Sequence, residues 1–276
     1  FGTIFIDKVD ENTFYKLLKR AKDQLDSNAD EWMRYYNLYK KDFLIEEYVE
    51  GPVLSVDGLV QDKRVMICGI SKFDMSPTPL FIQEAVTIPA DLKQTTKEEC
   101  FKYTQKVVSA LELDNCAFHC ELRLSKKGPR LIEVAARPPG GNMTLAYKNA
   151  YGVDIIGMYL DICLGKKVQH RIKNHKNVVL HRSVFARDWG ELTRIEGVQK
   201  LKRKPYFTLY WAAKKGDFFY PSATIQKSIA YYQLKGASWK EIDNFQSEVE
   251  KTLSYTLAKN LRARLKYLKL KRSEDI

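Results

Sequence analysis

Two glutamates, Glu121 and Glu133, sit inside runs that otherwise alternate like buried strands, in "CAFHCELRLSKKGPRLIEVAARPPGGNM" (Cys116–Met143). A carboxylate in a strand that packs on a core is costly unless something satisfies it. The linker "SKKGP" places Gly128 where a three-residue hairpin loop needs a left-handed residue. Closing that loop between Ser125 and Pro129 sets Glu121 opposite Glu133, with Cβ atoms about 5 Å apart. Period-two alternation then puts His119, Glu121 and Arg123 of one strand on a common face with Glu133 and Arg137 of the next. The other face carries Phe118, Cys120, Leu122, Leu124, Ile132 and Val134, and reads as core.

Paired carboxylates this close repel, and one takes up a proton unless a cation intervenes. Hard oxygen ligands, few in number, suit Mg²⁺ (or Mn²⁺), which keeps waters and completes its shell from phosphates. Arg137 beside them can hold a phosphate or a developing phosphoryl group. Spacing alone leaves a plainer alternative open, a surface hairpin with two Glu–Arg ion pairs. Sugar hydrolysis by two carboxylates is disfavoured by the arginine-rich surroundings. Cys116-x-x-His119-Cys120 lacks the second ligand pair of a structural zinc site.

The chain has 276 residues, enough for one large domain or two modest ones. No apolar run approaches the roughly 18 residues of a membrane span. The five cysteines form no CxxC pair and read as free thiols of a reducing compartment, so a cytoplasmic location is expected. The formal charge of +12 fits nucleic acid, a membrane surface or an anionic substrate. Nucleic-acid binding needs aromatics interleaved with basic residues on an exposed sheet. "YFTLYWAAKK" is the one candidate, and its Tyr210 and Trp211 read as core, which argues against it.

Along the chain, residues 1–7 alternate as a strand, and "DENTFYKLLKRAKDQL" is a helix capped by Asp10 or Asn12. "SNADEWMRYYNLYKK" is an aromatic connection with a short helix. "FLIEEYVEG" reads as a short buried strand. "VLSVDGLVQDKRVMICGISKF" gives two strands around a turn at Gln61–Lys63, and "FIQEAVTIPA" a further strand. "TTKEECFKYTQKVVSALEL" is an amphipathic helix with Thr96 as cap and Glu99 as its capping-box partner. Two Gly-terminated helices follow the hairpin, then strands from Val178. One long C-terminal helix is expected from Ser238, with Glu241 three residues on. Strands and helices mix without a βαβ rhythm, so the class is α+β.

"FLIEEYVEGPVLSVDGLV" followed by "HCELRLSKKGPRLIEVAARPPGGNM" resembles the ATP-grasp ligase superfamily, in its carbamoyl-phosphate-synthetase-like and L-amino-acid ligase branch. The resemblance runs from Phe1 to about Tyr232. It implies an ATP-grasp fold, with ATP clasped between two α+β subdomains, and the N-terminal pre-grasp subdomain absent from these residues. Residues 1–45 would then be a remnant of the small subdomain. Residues 46–235 would form the main ATP-grasp subdomain with its C-terminal sheet, and 236–276 a C-terminal helix and basic tail. Glu46 would accept from the adenine amino group, and Glu47, Tyr48 and Val49 would meet the ring edge through their backbone. Glu121 and Glu133 would be the metal ligands bridging the ATP phosphates. Arg137 would steady the acyl phosphate or its tetrahedral successor. His119 and Asn142 are substrate candidates, Asn142 equally a helix cap.

The implied reaction is ATP- and Mg²⁺-dependent joining of a carboxylate to an amine through an acyl phosphate, with an amino acid or small peptide as substrate. The alternative is a non-catalytic relative that binds nucleotide or acts as a scaffold. A homodimer is left open. The sequence departs from the family at Ala135, where an Asn is usual, and at Val53, where a ribose-binding Glu often stands, which makes Asp57 an outside candidate for the ribose. Of the upstream Gly-rich loop only "FG" remains. Glu84, Lys72 and the loop Asp74–Pro79 are further cleft candidates, each also readable as ordinary surface.

Overall fold

The computed structural model describes residues 10–27, 44–76, 82–170, 174–220 and 228–274, with backbone only at 20–27 and 270–274. The expected strand at 1–7, all but the first residue of the connection at 27–41 and the second half of the loop at 74–79 fall outside these residues. Eleven strands and seven helices are seen among them. Eight strands form one antiparallel sheet. In chain order these are β1 (Val53–Gln61), β2 (Arg64–Met75), β3 (Gln83–Ile88), β4 (Cys116–Ser125), β5 (Gly128–Ala135), β6 (Val178–Phe185), β8 (Phe207–Ala212) and β10 (Ser228–Gly236). Their order across the sheet is β5-β4-β1-β2-β3-β6-β10-β8. A second, three-stranded sheet joins β7 (Gly190–Glu196), β9 (Phe218–Phe219) and β11 (Ser254–Ala258). The α+β class follows directly.

β1 is buried at every position, its polar Ser55, Asp57 and Gln61 as well as its valines and leucines, because helices cover both faces of the sheet there. One face packs on α2 (Gln94–Ala110), through Leu54, Val56, Ile70, Phe118, Cys120 and Leu122. Further along the sheet, Leu180, Tyr232 and Leu234 pack under α6 (Trp239–Thr252). The opposite face packs Leu59, Phe73, Val86 and Ile88 against α3 (Met143–Tyr151) and α4 (Ile155–Cys163). The remaining helices are α1 (Glu11–Ser27), the single turn α5 (Val198–Leu201) and α7 (Leu261–Glu274).

Caps account for several helix starts. Asp10 accepts from the Thr13 amide at 2.8 Å, and Ser238 from the Glu241 amide at 3.3 Å. At α2 the expected cap fails: the helix begins at Gln94, two residues before Thr96, and its N-cap Lys93 makes no side-chain bond. The expected long C-terminal helix is broken. It ends at Thr252, with Leu253 as an extended C-cap, and the β-favouring run "SYTLA" pairs with β7 before α7 begins. The stretch 44–50 is no buried strand. It has no ladder partner among the described residues, and Leu44 and Ile45 are exposed. Trp211 is also exposed rather than core, since β8 is an edge strand of the large sheet.

Candidate active site

The hairpin β4–β5 pairs Glu121 with Glu133 and His119 with Ala135, as expected from the alternation. It does so by a different route. Ser125 pairs with Gly128 around a two-residue turn, and a bulge between Glu121 and Leu122 shifts the register by one. The bulge takes Ile132 off the core face, leaving it 41% exposed. Cys120 and Leu122 stay buried, and Leu124 and Val134 are half-buried.

The charged face is anchored from beneath. β1 lies beside β4, with Asp57 paired to His119 and Ser55 to Glu121. Asp57 is fully buried. Its Oδ1 accepts from His119 Nδ1 at 2.5 Å. Its Oδ2 accepts from the Tyr147 hydroxyl at 2.5 Å and from Ser55 Oγ at 2.7 Å. With its proton on Asp57, Ser55 accepts from Ser71 Oγ at 2.7 Å. His119 Nε2 lies 3.1 Å from Glu121 Oε1. Tyr147 reaches Asp57 across Gly69, the β2 partner of Asp57. A Cβ at Gly69 would lie 2.7 Å from the Tyr147 ring and 2.5 Å from that of Tyr151, so the close approach requires glycine.

Burial alone would push the His119 imidazole down, but the hydrogen bonds and charges of Asp57 and Glu121 outweigh it and hold its pKa up at about 10. The imidazole is therefore charged at neutral pH and donates from both nitrogens. Burial, together with the charge of Asp57, holds the Tyr147 phenol well above its usual range, so it stays a donor. A linkage follows. The folded pKa near 10 exceeds the ordinary 6.5, so the stabilisation is complete below about pH 6.5 and is lost as the pH rises towards 10. Urea midpoints of protein in EDTA should fall from pH 6 to pH 9, and His119→Gln should flatten that fall.

The other sequence candidates are placed as follows. Glu133 is exposed and makes no hydrogen bond or ion pair among the described residues. Neither Glu121 nor Glu133 pairs with an arginine there, which removes the salt-bridged hairpin as the reason for the two carboxylates. Arg123 instead donates to the Gly51 carbonyl at 2.9 Å, and its guanidinium lies 5.0 Å from the centre of the Tyr48 ring. It thus ties the segment of Glu46, Glu47, Tyr48 and Val49 to the carboxylate hairpin. Arg137 is exposed in the loop after β5 and donates to the Pro138 carbonyl at 3.0 Å. Asn142 holds the N-cap position of α3, but its side chain makes no cap bond. Its carbonyl accepts from Gln233 Nε2 at 3.3 Å, linking the arginine loop to β10.

Three expectations are corrected. His119 is only 4% exposed and has both nitrogens engaged, so it is not a substrate contact. Asp57 has no access to a ribose because it is buried. Glu84 is not an ordinary surface charge: its side chain is largely buried and Arg187 holds it at 2.7 Å. The buried Asp57–Tyr147 pair was missed, although an aspartate amid "VLSVDGLV" is a signal of the same kind as the two glutamates.

The residues fit a divalent cation of the Mg²⁺ type. Glu133 is uncommitted, and Glu121 spends one oxygen on His119 and keeps the other. Among the described residues no three His, Cys, Asp or Glu side chains converge on a metal position. Two carboxylates suit an ion that takes the rest of its shell from water and phosphate.

The chain superposes on the L-amino acid ligase of Bacillus licheniformis with a TM-score of 0.70 and 22% identity, over 76% of this chain and 55% of that one. It also superposes on the biotin carboxylase domain of 2-oxoglutarate carboxylase from Hydrogenobacter thermophilus, solved with MgADP, at a TM-score of 0.58 and 17% identity, over 77% and 47% of the two chains. A family profile described as an ATP-grasp domain matches residues 3–145, just over half of the sequence. The chain belongs to the ATP-grasp family. Among curated proteins it is 30% identical to the alanine–anticapsin ligase of Bacillus subtilis (strain 168), over 46% of this chain and 30% of the ligase. The chain spans about a third of the length of the alanine–anticapsin ligases it matches, 30% to 36%.

Proposed function

We propose that this chain carries the metal–phosphate half of an ATP- and Mg²⁺-dependent ligase that joins a carboxylate to an amine, with an amino acid or small peptide as substrate. The observation that carries the reading is the carboxylate pair Glu121–Glu133 on one hairpin, without an arginine partner among the described residues, with Arg137 two residues beyond its end. The similarity to alanine–anticapsin ligase and to an L-amino acid ligase supports the substrate class. The protein is read as cytoplasmic, with ATP and small substrates as its partners.

In this reading Glu121 and Glu133 would hold the Mg²⁺. Bound there, the ion would neutralise ATP phosphate charge and polarise the transferring phosphoryl group. Arg137, exposed on the loop after β5, would meet the charge that develops as the carboxylate oxygen is phosphorylated and as the amine then displaces phosphate. Glu46, Glu47, Tyr48 and Val49 form the adenine side, joined to the hairpin through Arg123. Asn142 stays a substrate candidate through its side chain, which has no cap bond.

The test is a screen of paired amino acids for ADP release and peptide formation by the full-length protein. Arg137→Ala should retain ATP affinity within about threefold and lose about 10²–10³-fold in kcat, the scale of removing one transition-state donor. No ADP release with any pair, despite ATP binding, would favour the non-catalytic relative, for which the absence of an Asn at Ala135 speaks.

A further inference from the structure

We propose that His119 is a positioning residue, which holds Glu121 in one rotamer so that its free oxygen meets a divalent cation together with Glu133. The inference rests on the metal-ligand reading of these two glutamates. It begins from a mismatch of flexibility. A glutamate on a strand has three rotatable bonds, and ordering it to bind a metal carries an entropic penalty. Here Glu121 Oε1 is held at 3.1 Å by His119 Nε2 before any ion arrives, and its side chain is 24% exposed. The Glu121 side chain lies on the face shared with its cross-strand partner Glu133.

The restraint is effective because His119 itself cannot move. Its other nitrogen is fixed at 2.5 Å by Asp57, which is fully buried. Asp57 is fixed in turn by Tyr147 from α3 and by Ser55, itself bonded to Ser71 of β2. One polar line therefore runs from the interior, through three strands and a helix, to one oxygen of Glu121. The register sharpens the need for it. His119 faces Ala135, so β5 offers no amide oxygen at that position to share in holding the ion. With no third His, Cys, Asp or Glu converging on the position among the described residues, the orientation of each of the two carboxylates carries more of the affinity. Groups that orient metal ligands from behind typically contribute about 10–100-fold in metal affinity.

The test uses Mn²⁺ as the probe, in the full-length protein with ADP, followed by the electron paramagnetic resonance signal of the free ion. His119→Asn keeps a donor for Asp57 but is too short for Glu121. His119→Gln places its amide nitrogen near the Nε2 position and can still donate to Glu121. The expected result is Mn²⁺ affinity about 10–100-fold weaker for His119→Asn and a clearly smaller loss for His119→Gln. ADP affinity in EDTA should match wild type in both. The proposal is overturned if both variants bind Mn²⁺ as wild type does. It is equally overturned if both lose Mn²⁺ and metal-free ADP binding together, since that marks a purely structural role. Should either variant fail to fold, the other decides against wild type by the same two readouts. Glu121→Gln is the control: if it leaves Mn²⁺ binding intact, the metal-ligand reading itself is wrong.

Discussion

Glu133→Gln should lower ATP-dependent product formation by about 10²–10³-fold in kcat, the scale of losing one charge-stabilising group at a transferring phosphoryl centre. The substitution keeps the size of the side chain and removes its charge. The Glu133 side chain is exposed and makes no hydrogen bond or ion pair among the described residues, so the fold has little stake in its charge. Its thermal midpoint should move by less than about 2 °C, as for surface changes generally. Glu121→Gln should match it in activity. The two losses should not add, because the pair acts as one ligand set. Steady-state ADP release with the accepted amino-acid pair measures this. Two variants within threefold of wild type would remove the hairpin from the chemistry.

Asp57→Ala should destabilise the protein by about 3–5 kcal/mol, the usual result of removing one partner of a buried ion pair. Three donors, from His119, Tyr147 and Ser55, would lose their acceptor at once, and a charged imidazole would be left 4% exposed. Asp57→Asn keeps the shape and one acceptor oxygen, and should fall between wild type and alanine. Urea unfolding with an unchanged m-value reads both. A loss under about 1 kcal/mol for Asp57→Ala would mean that the line from Tyr147 to Glu121 is not a fixed unit.

Much of the site was legible in the sequence, and the illegible parts share a cause. The opposition of Glu121 and Glu133 follows from alternation, which is local. The turn that produces it was misread, because a two-residue loop with a later bulge gives the same pairing at the glutamates as a three-residue loop without one. Ile132 records the difference, being exposed where unbroken alternation would bury it. The Asp57–His119 contact spans 62 positions and exists only because β1 lies beside β4. Nothing in either segment alone specifies that neighbour. The C-terminal helix failed at "SYTLA", where β-branched and aromatic residues found a strand partner in β7, and tertiary pairing overrode a helical period. "FLIEEYVEG" has strand composition but no ladder partner among the described residues, and composition does not supply one.

The most direct test of the central claim is calorimetric titration of ATP, with and without Mg²⁺, into the full-length protein and its Glu133→Ala variant. The account predicts that Mg²⁺ strengthens ATP binding in wild type and leaves the variant unchanged, the two proteins being alike in EDTA. Equal Mg²⁺ dependence in both would contradict it, by placing the metal somewhere other than the β4–β5 hairpin.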